Sequence, residues 1–143
     1  MSSGLELMLH RLIEAPRERV WLAWTDPADL KQWWSPVLEA DVRPDGAWKA
    51  EVVSPQGTGA WSHGTYLIVD RPREVSYTFE WDATDPAPTT VTVTLADNGT
   101  SCAMSVRQSG FRTAAERDAH LPGWNTAFDE LEAFLTKQDT AAR

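Results

Sequence analysis

The C-terminal stretch of the chain, Leu121-Pro-Gly-Trp-Asn-Thr-Ala-Phe-Asp-Glu-Leu-Glu-Ala-Phe-Leu135, decides the fold. Its large apolar residues recur at the spacing of an α-helix, and they form a single stripe of Trp124, Phe128, Leu131 and Leu135. Acidic residues occupy the opposite side, so the stretch predicts an amphipathic helix. Because nearly all of the preceding chain has the pattern of β-strands, we expect this stripe to lie against a sheet.

The chain upstream of this helix alternates apolar and polar residues in short runs that turn residues separate. The clearest run is 74–81, in which every second residue is Val, Tyr, Phe or Trp. In the run 60–69 both faces carry apolar residues, so the pattern leaves open which face points inward. We predict strands at 5–13, 37–42, 47–53, 60–69, 74–81, 89–95 and 101–108. Short connections between successive strands predict an antiparallel sheet and an α+β fold.

Two short helices are predicted between the first two strands. Pro16 is expected at the first position of the first helix, and Asp26 is expected to cap the second, which ends at Ser35-Pro36. The capping box Thr113-Ala-Ala-Glu116 begins a further short helix, which Pro122-Gly123 is expected to separate from the long final helix. Turns are predicted at 43–46, 55–59 and 97–100, and a proline-rich loop at 82–88.

Length and charge limit the classes of function. The 143 residues hold 13 Lys and Arg against 21 Asp and Glu, a formal net charge of -8. This balance argues against nucleic acid or an anionic membrane surface as the main partner, because both select for basic patches. Cys102 is the single cysteine, so no disulfide forms within the chain. We expect one domain, ordered from about residue 5 to residue 137, without signal peptide or membrane span, in the cytoplasm.

The sequence offers little for metal binding or nucleophilic catalysis. His10, His63 and His120 share no predicted element, and no HExxH motif or cysteine pair accompanies them, so we expect neither a metal nor a cofactor. Ser62 and His63 are neighbours on a strand, and their side chains therefore point to opposite faces. Cys102 lies in an apolar strand and is interpreted as an inert core thiol.

The sequence does not exclude acid–base chemistry inside a cavity as an alternative function. The candidates on predicted strands are Glu51, His63, Tyr66 and Tyr77, and of these Glu51 and His63 fit a solvent-facing position equally well. Because no convergent acid–base set is apparent, we expect a binding protein rather than an enzyme.

Large aromatic side chains are the unusual feature of the composition, with eight tryptophans in 143 residues. So many rings on a curved sheet and its helix are hard to interdigitate without gaps, which favours a cavity of roughly 300–1,000 Å³ for a small molecule. We predict that aromatic walls hold an apolar ligand while hydroxyl and indole N–H groups orient it. The predicted ligand-binding residues are Trp48, Tyr66, Tyr77, Phe79, Trp81, Met104, Trp124 and Phe128.

Several motifs occur together in a characteristic order. They are Ala15-Pro16-Arg-Glu-Arg-Val20-Trp21, Trp24-Thr25-Asp26-Pro27, Leu30-Lys-Gln-Trp33-Trp34-Ser-Pro36, Arg43-Pro44-Asp-Gly46, Gly64, Asp70-Arg-Pro72 and Gly123-Trp124. This combination resembles the Hsp90-ATPase-activator-homologue domain family, within the START-like, Bet v 1-like and polyketide cyclase-like superfamily. The resemblance implies a helix-grip fold, in which a curved antiparallel sheet wraps around the long C-terminal helix and two short helices close one end. It also implies an apolar cavity between helix and sheet, and stress response as the broad process.

The resemblance leaves the function open, because members of this superfamily bind lipids, carry or cyclise polyketides, or assist a chaperone. Binding of a small aromatic or acyl-type molecule is the leading interpretation. The alternatives are an Hsp90 co-chaperone-like interaction module and a cyclase- or hydrolase-type enzyme. The eukaryotic activator carries an additional N-terminal domain, so we expect no stimulation of a chaperone ATPase here. A homodimer is a further alternative, since the sheet edges and Trp33-Trp34 offer apolar contact surface.

Overall fold

Ten elements follow one another in the computed structural model of the chain, which describes residues 5–53, 59–82 and 88–141. The predicted order of one strand, two short helices, six strands and a long helix is confirmed. The elements are β1 (Glu6–Ile13), α1 (Arg17–Thr25), α2 (Pro27–Trp33), β2 (Leu38–Ala40), β3 (Ala47–Val53), β4 (Gly59–Asp70), β5 (Glu74–Trp81), β6 (Thr89–Asn98), β7 (Ser101–Ser109) and α3 (Ala114–Ala141).

The seven strands form one antiparallel sheet in the order β1-β7-β6-β5-β4-β3-β2. The sheet is curved, and the α+β helix-grip prediction is confirmed. The apolar stripe of α3 is buried, as predicted. Arg11 of β1 lies over the Phe128 ring and pairs with Asp129 at 2.9 Å, while Trp124 bonds to Gln108 of β7. These contacts place the stripe against the sheet.

Helix α3 is continuous, so the predicted break at Pro122-Gly123 is wrong. Pro122 removes the N–H that would reach the carbonyl of Asp118, and a proline inside a helix usually costs about 3 kcal/mol. Asp118 and Pro122 are both exposed, so water can satisfy the freed carbonyl. The buried residues on the same helix, from Trp124 onward, hold its course through packing, which outweighs local propensity. No described helix is apolar over enough of its length to span a membrane.

The two short helices are joined by one residue that serves both. The N–H of Asp26 caps the end of α1 at the Leu22 carbonyl, and its carboxylate accepts from the Ala28 N–H at 2.9 Å. Pro16 lies at the N-cap of α1, one residue before the predicted position. Trp33 donates from Nε1 to the Ala23 carbonyl at 2.8 Å and is buried. The apolar contact surface predicted at Trp33-Trp34 is therefore wrong for Trp33, whereas Trp34 is partly exposed.

Strand β2 is shorter than the predicted run 37–42, because a tight turn begins immediately after it. The Arg43 N–H donates to the Asp41 carbonyl and the Gly46 N–H to the Arg43 carbonyl. Asp45 has a φ of 70°, a left-handed conformation that aspartate tolerates better than most residues. The predicted turn at 43–46 is confirmed, as is the hairpin at 97–100, where Gly99 has a φ of 74°. The predicted turn at 55–59 and loop at 82–88 lie largely outside the described residues.

The inward face of β4 is the one that carries Ser62, Gly64 and Tyr66, all of which are buried. A β-bulge between Tyr66 and Ile68 interrupts the alternation, and it leaves Leu67 and Ile68 both exposed. A bulge inserts one residue into one strand, so it shifts the side-chain period by one. This shift explains why the sequence of β4 shows apolar residues on both faces.

Replacing Phe128 with Ala should lower the free energy of unfolding by about 3–5 kcal/mol, because its ring is 1% exposed and its loss leaves a cavity under α3. Urea unfolding followed by circular dichroism measures the change. Glu130→Ala, an exposed position two residues away, is the matched control and should stay within about 0.5 kcal/mol of the parent. A loss below about 1 kcal/mol for the Phe128 variant would contradict the place of this ring in the core.

Candidate functional site

A small cavity lies between the two short helices and the inner face of β3, β4 and β5. Its volume is about 20 Å³, enough for a water molecule and well below a usual ligand site. Its walls are aromatic or aliphatic throughout. The lining residues are Trp24, Leu30, Trp34, Leu38, Trp48, Tyr66 and Tyr77.

The position of Trp48 depends on Gly64, its partner across the β3–β4 ladder. The indole of Trp48 passes over this glycine, and its Nε1 donates to the Thr78 carbonyl on β5 at 3.1 Å. A Cβ at position 64 would lie 1.8 Å from the Thr78 carbonyl oxygen and 2.6 Å from Trp48 Nε1. Glycine is therefore the residue that lets the ring cross β4 and form a wall of the cavity.

Edge-to-face contacts connect the aromatic walls. The ring centroids of Trp34 and Trp48 are 5.4 Å apart, those of Trp48 and Tyr77 5.6 Å, and those of Tyr77 and Tyr66 5.9 Å. Such pairs contribute about 0.5–1.5 kcal/mol beyond the area that they bury. Among the cavity's rings, Trp34 is the one that is partly exposed, while the others are buried. The Trp34 ring is thus the boundary between the cavity and solvent.

One lining residue, Trp24, contains a buried polar atom without a partner. Trp24 is 3% exposed, and its indole N–H has no hydrogen-bond partner. Among the described residues, no other fully buried side-chain nitrogen or oxygen is unpaired. Leaving such a donor unpaired costs about 1–3 kcal/mol. The hydroxyls of Tyr66 and Tyr77 are not among the fully buried unpaired atoms of the described residues. Four other indoles donate to protein acceptors, namely those of Trp33, Trp48, Trp81 and Trp124.

Burial governs the ionisation of the two tyrosines. It raises the pKa of the Tyr66 phenol well above the ordinary value, because the phenolate would lose its hydration. Burial likewise raises the pKa of Tyr77, and the neighbouring Tyr66 adds to the effect. Both side chains are consequently neutral at physiological pH and can donate a hydrogen bond.

A second aromatic group adjoins the cavity through Phe79, whose ring centroid is 5.6 Å from that of Trp48. Phe79 contacts Trp81 and His120, and the ring centroids of Phe111 and His120 are 5.0 Å apart. His120 Nδ1 faces the carbonyl of Glu116 on its own helix at 2.8 Å, so we assign the proton to Nδ1. His120 Nε2 then accepts from the Trp81 indole at 3.3 Å.

The predicted ligand-binding residues divide into three groups. Trp48, Tyr66 and Tyr77 line the cavity. Phe79 and Trp81 belong to the adjoining group around His120. The remaining three residues lie in the buried core, and their role in binding stays a prediction: Met104, Trp124 and Phe128.

Sequence reasoning missed four lining residues, Trp24, Leu30, Trp34 and Leu38, all of which belong to the two-helix segment and β2. Periodicity identified the apolar side of each helix but not the surface that it covers. The element order nevertheless indicated that these helices contribute to the site. Two tryptophan-rich helices inserted between the first two strands have to cover one end of the sheet.

Of the acid–base candidates, Tyr66 and Tyr77 line the cavity, whereas His63 does not. His63 is exposed on the opposite side of the sheet, where Nδ1 lies 2.5 Å from Asp82 and Nε2 lies 3.7 Å from Glu80. Ser62 is buried and donates to the Ala50 carbonyl, so the predicted opposite orientation of Ser62 and His63 is confirmed. Within the described residues no group of three His, Cys, Asp or Glu side chains is arranged to hold a metal ion. Burial raises the pKa of the Cys102 thiol, which fits an unreactive core residue.

Comparison with known proteins identifies relatives of the whole domain. The family model for Activator of Hsp90 ATPase homolog 1-like protein matches residues 14–136. Protein CV1439 from Chromobacterium violaceum is 29% identical with a TM-score of 0.79, over 90% of this chain and 94% of that one. CalU16 from Micromonospora echinospora is 20% identical with a TM-score of 0.74, over 95% and 79%.

A further similar structure is DynU16, a protein of the dynemicin biosynthetic locus. It is 20% identical with a TM-score of 0.79, over 92% of this chain and 47% of the longer DynU16 chain. At 20% identity, the likeness to CalU16 and DynU16 shows a shared fold. No curated protein matches the chain.

Gly64→Ala should destabilise the protein by about 3 kcal/mol or more and shift the tryptophan emission, because the new methyl group collides with the Thr78 carbonyl and the Trp48 indole. Chemical unfolding and steady-state fluorescence measure the two effects. Gly123→Ala is the matched control. No atom lies within 4 Å of its added methyl group, so a gain of about 0.5–1 kcal/mol is expected in the helix.

The two tyrosines of the chain should titrate only when it unfolds. Their folded pKa values lie above the unfolded value of about 10, so this stabilisation is complete below pH ~10 and is lost as the pH rises toward the folded values. Tyrosinate absorbance should therefore appear together with the loss of near-ultraviolet circular dichroism. Tyr77→Phe should halve the absorbance change. A tyrosinate step near pH 10 in the native protein would refute the buried position of these phenols.

Proposed function

We propose that this chain, which belongs to the Activator of Hsp90 ATPase homolog 1-like protein family, binds a small, largely apolar molecule of aromatic or acyl type in the cavity. The observation that carries the proposal is the composition of the cavity wall. Five of its seven residues are tryptophan or tyrosine and the other two are leucine. Flat rings of this kind bind apolar ligands through dispersion and stacking.

The cavity has to open before a ligand can enter, because about 20 Å³ holds no more than water. Trp34 is the natural place for opening, since its ring is half-buried and separates the cavity from solvent. The Ser35 hydroxyl next to it anchors the chain, because it donates to the Glu51 carbonyl and accepts from the Val37 N–H. Rotation of the Trp34 ring alone would therefore widen the cavity, and a flat ligand would take over its edge-to-face contact with Trp48.

The net charge of the protein and its structural relatives support a neutral small molecule as the ligand. The formal net charge of -8 disfavours a strongly anionic ligand. No lysine, arginine or histidine lines the cavity to hold an anion. The structural relative DynU16 belongs to a biosynthetic locus, which is in keeping with a small-molecule role for this fold.

Binding can be tested with phenylnaphthylamine, a neutral apolar probe whose fluorescence rises in a dry environment. The protein should bind it saturably, and the tryptophan emission should change in parallel. At a hundredfold excess over the dissociation constant, the probe should add about 2.7 kcal/mol of stability. Leu38→Phe, which fills the cavity, should weaken binding about tenfold or more.

Leu12→Phe is the matched control for this test, because Leu12 is 51% exposed on the outer side of β1. It adds the same aromatic ring without touching the cavity, and its affinity for the probe should equal that of the parent. Equal affinity in the Leu38 variant, or no binding by the parent, would overturn the proposal. If the parent also stimulated the ATPase of an Hsp90-type chaperone, the interaction function would replace ligand binding.

A further inference from the structure

We propose that His120 is a pH-sensitive contact, which in its neutral form holds the first two turns of α3, residues 114–121, against Trp81 of β5 and on protonation releases them. The proposal is independent of the ligand proposed for the cavity. It rests on the partners of the two ring nitrogens of His120 and on the few contacts that this helical segment makes with the sheet.

The two hydrogen bonds of His120 are compatible with only one form of the imidazole ring. The Trp81 indole nitrogen lies 3.3 Å from Nε2, and an indole N–H can donate but not accept. The Glu116 carbonyl oxygen lies 2.8 Å from Nδ1, and a carbonyl can accept but not donate. The ring therefore carries its one proton on Nδ1 and presents a lone pair at Nε2. An imidazolium ring has a second proton at Nε2, which would point at the Trp81 N–H.

His120 also provides the polar contact between its helical segment and the sheet. Within the described chain, no hydrogen bond or ion pair other than that of His120 with Trp81 joins residues 114–121 to a strand. The ring contacts of the segment with Phe79 and Trp81, both at centroid distances of 6.3 Å, come from His120 as well. A change in this one ring therefore acts on the hydrogen bond and on the ring contacts together.

Charged side chains next to the contact offer the imidazolium no counter-charge, because the described ones already have partners. The ion pairs are Arg112–Glu116, Arg117–Asp118, His63–Asp82 and His63–Glu80. Phe111, which precedes α3, contributes an uncharged ring at 5.0 Å. No ion pair among the described residues joins a carboxylate to His120. The charged ring is therefore stabilised most by contact with water.

Protonation thus replaces an acceptor at Nε2 with a donor, and the hydrogen bond from Trp81 is lost. The segment then moves away from β5, which lets water reach the imidazolium. This movement uncovers Phe79, whose ring centroid is 5.6 Å from that of Trp48. The apolar surface exposed in acid is therefore continuous with the wall of the cavity. The change belongs to the range between about pH 8 and pH 5, in which histidine takes up its proton.

Nuclear magnetic resonance of the parent protein between about pH 8 and pH 5 tests the proposal. The indole proton signal of Trp81 should move upfield in step with the titration of the His120 ring, because its hydrogen bond is lost. The Cα chemical shifts of residues 117–121 should move toward unfolded values, and the fraction of open segment that they report should rise about tenfold. The Cα shifts of residues 128–135 should stay in place, since the buried part of α3 remains closed.

His120→Gln removes the titration and keeps an amide oxygen that can accept from the indole. In this variant the Trp81 signal should be constant across the same pH range. His63→Gln is the matched control, because His63 also titrates and pairs with Asp82, the residue after Trp81. It should retain the full pH response of Trp81.

Each possible outcome of these measurements decides the proposal. A Trp81 signal that stays in place while His120 titrates would overturn it, as would a pH response that persists in His120→Gln or disappears in His63→Gln. Downfield movement in acid would mean that the surrounding rings hold the imidazolium, which is the opposite of release. Unchanged Cα shifts of residues 117–121 would contradict the movement of the segment. A simultaneous change in residues 128–135 would show unfolding of the whole domain instead.

Discussion

The crossing of Trp48 over Gly64 is the contact on which the site depends. The hydrogen bond from the Trp48 indole to the Thr78 carbonyl connects the third strand to the fifth across the fourth. From this position the ring meets Trp34 and Tyr77 on the cavity side and Phe79 on the side of His120. One wall of the cavity is therefore part of the sheet and is as rigid as the ladder beneath it. The opposite wall, formed by the short helices and Trp34, is the one that can adapt.

A series of hydrogen bonds pairs the buried polar side chains around Trp124. The Trp124 indole donates to Gln108, the Gln108 amide donates to Thr89, and the Thr89 hydroxyl donates to the Phe79 carbonyl. This series of hydrogen bonds runs through the core and gives each of the three donors an acceptor. Trp24 lies beside Trp124 in the same core, yet its N–H has no such partner in the described chain. Of these two neighbouring indoles, Trp124 is therefore fully satisfied, whereas the unpaired donor of Trp24 costs the fold about 1–3 kcal/mol.

Much of the fold followed from local chemistry. The stripe on α3, the cap at Asp26 and the alternation in β5 each reflect a period or a turn preference that the chain obeys locally. Two features did not follow from local chemistry. Helix α3 continues through Pro122 because the freed carbonyl is exposed to solvent, and the alternation in β4 is interrupted by a bulge. The location of the cavity was harder to predict. Periodicity shows which side of an element is apolar, but Trp24, Trp34 and Leu38 meet Tyr66 and Tyr77 only through the tertiary fold.

Pro122 also divides the continuous helix α3 into two parts that differ in burial. The helix lacks a backbone hydrogen bond at that residue, and none of residues 114–121 is buried, whereas the buried positions begin at Trp124. The first two turns can therefore open without disturbing the rest of the helix, as a separate cooperative unit with lower protection against amide hydrogen exchange. His120 belongs to this weaker unit, so the environment of Trp81 fluctuates with it, while the segment that grips the sheet remains closed.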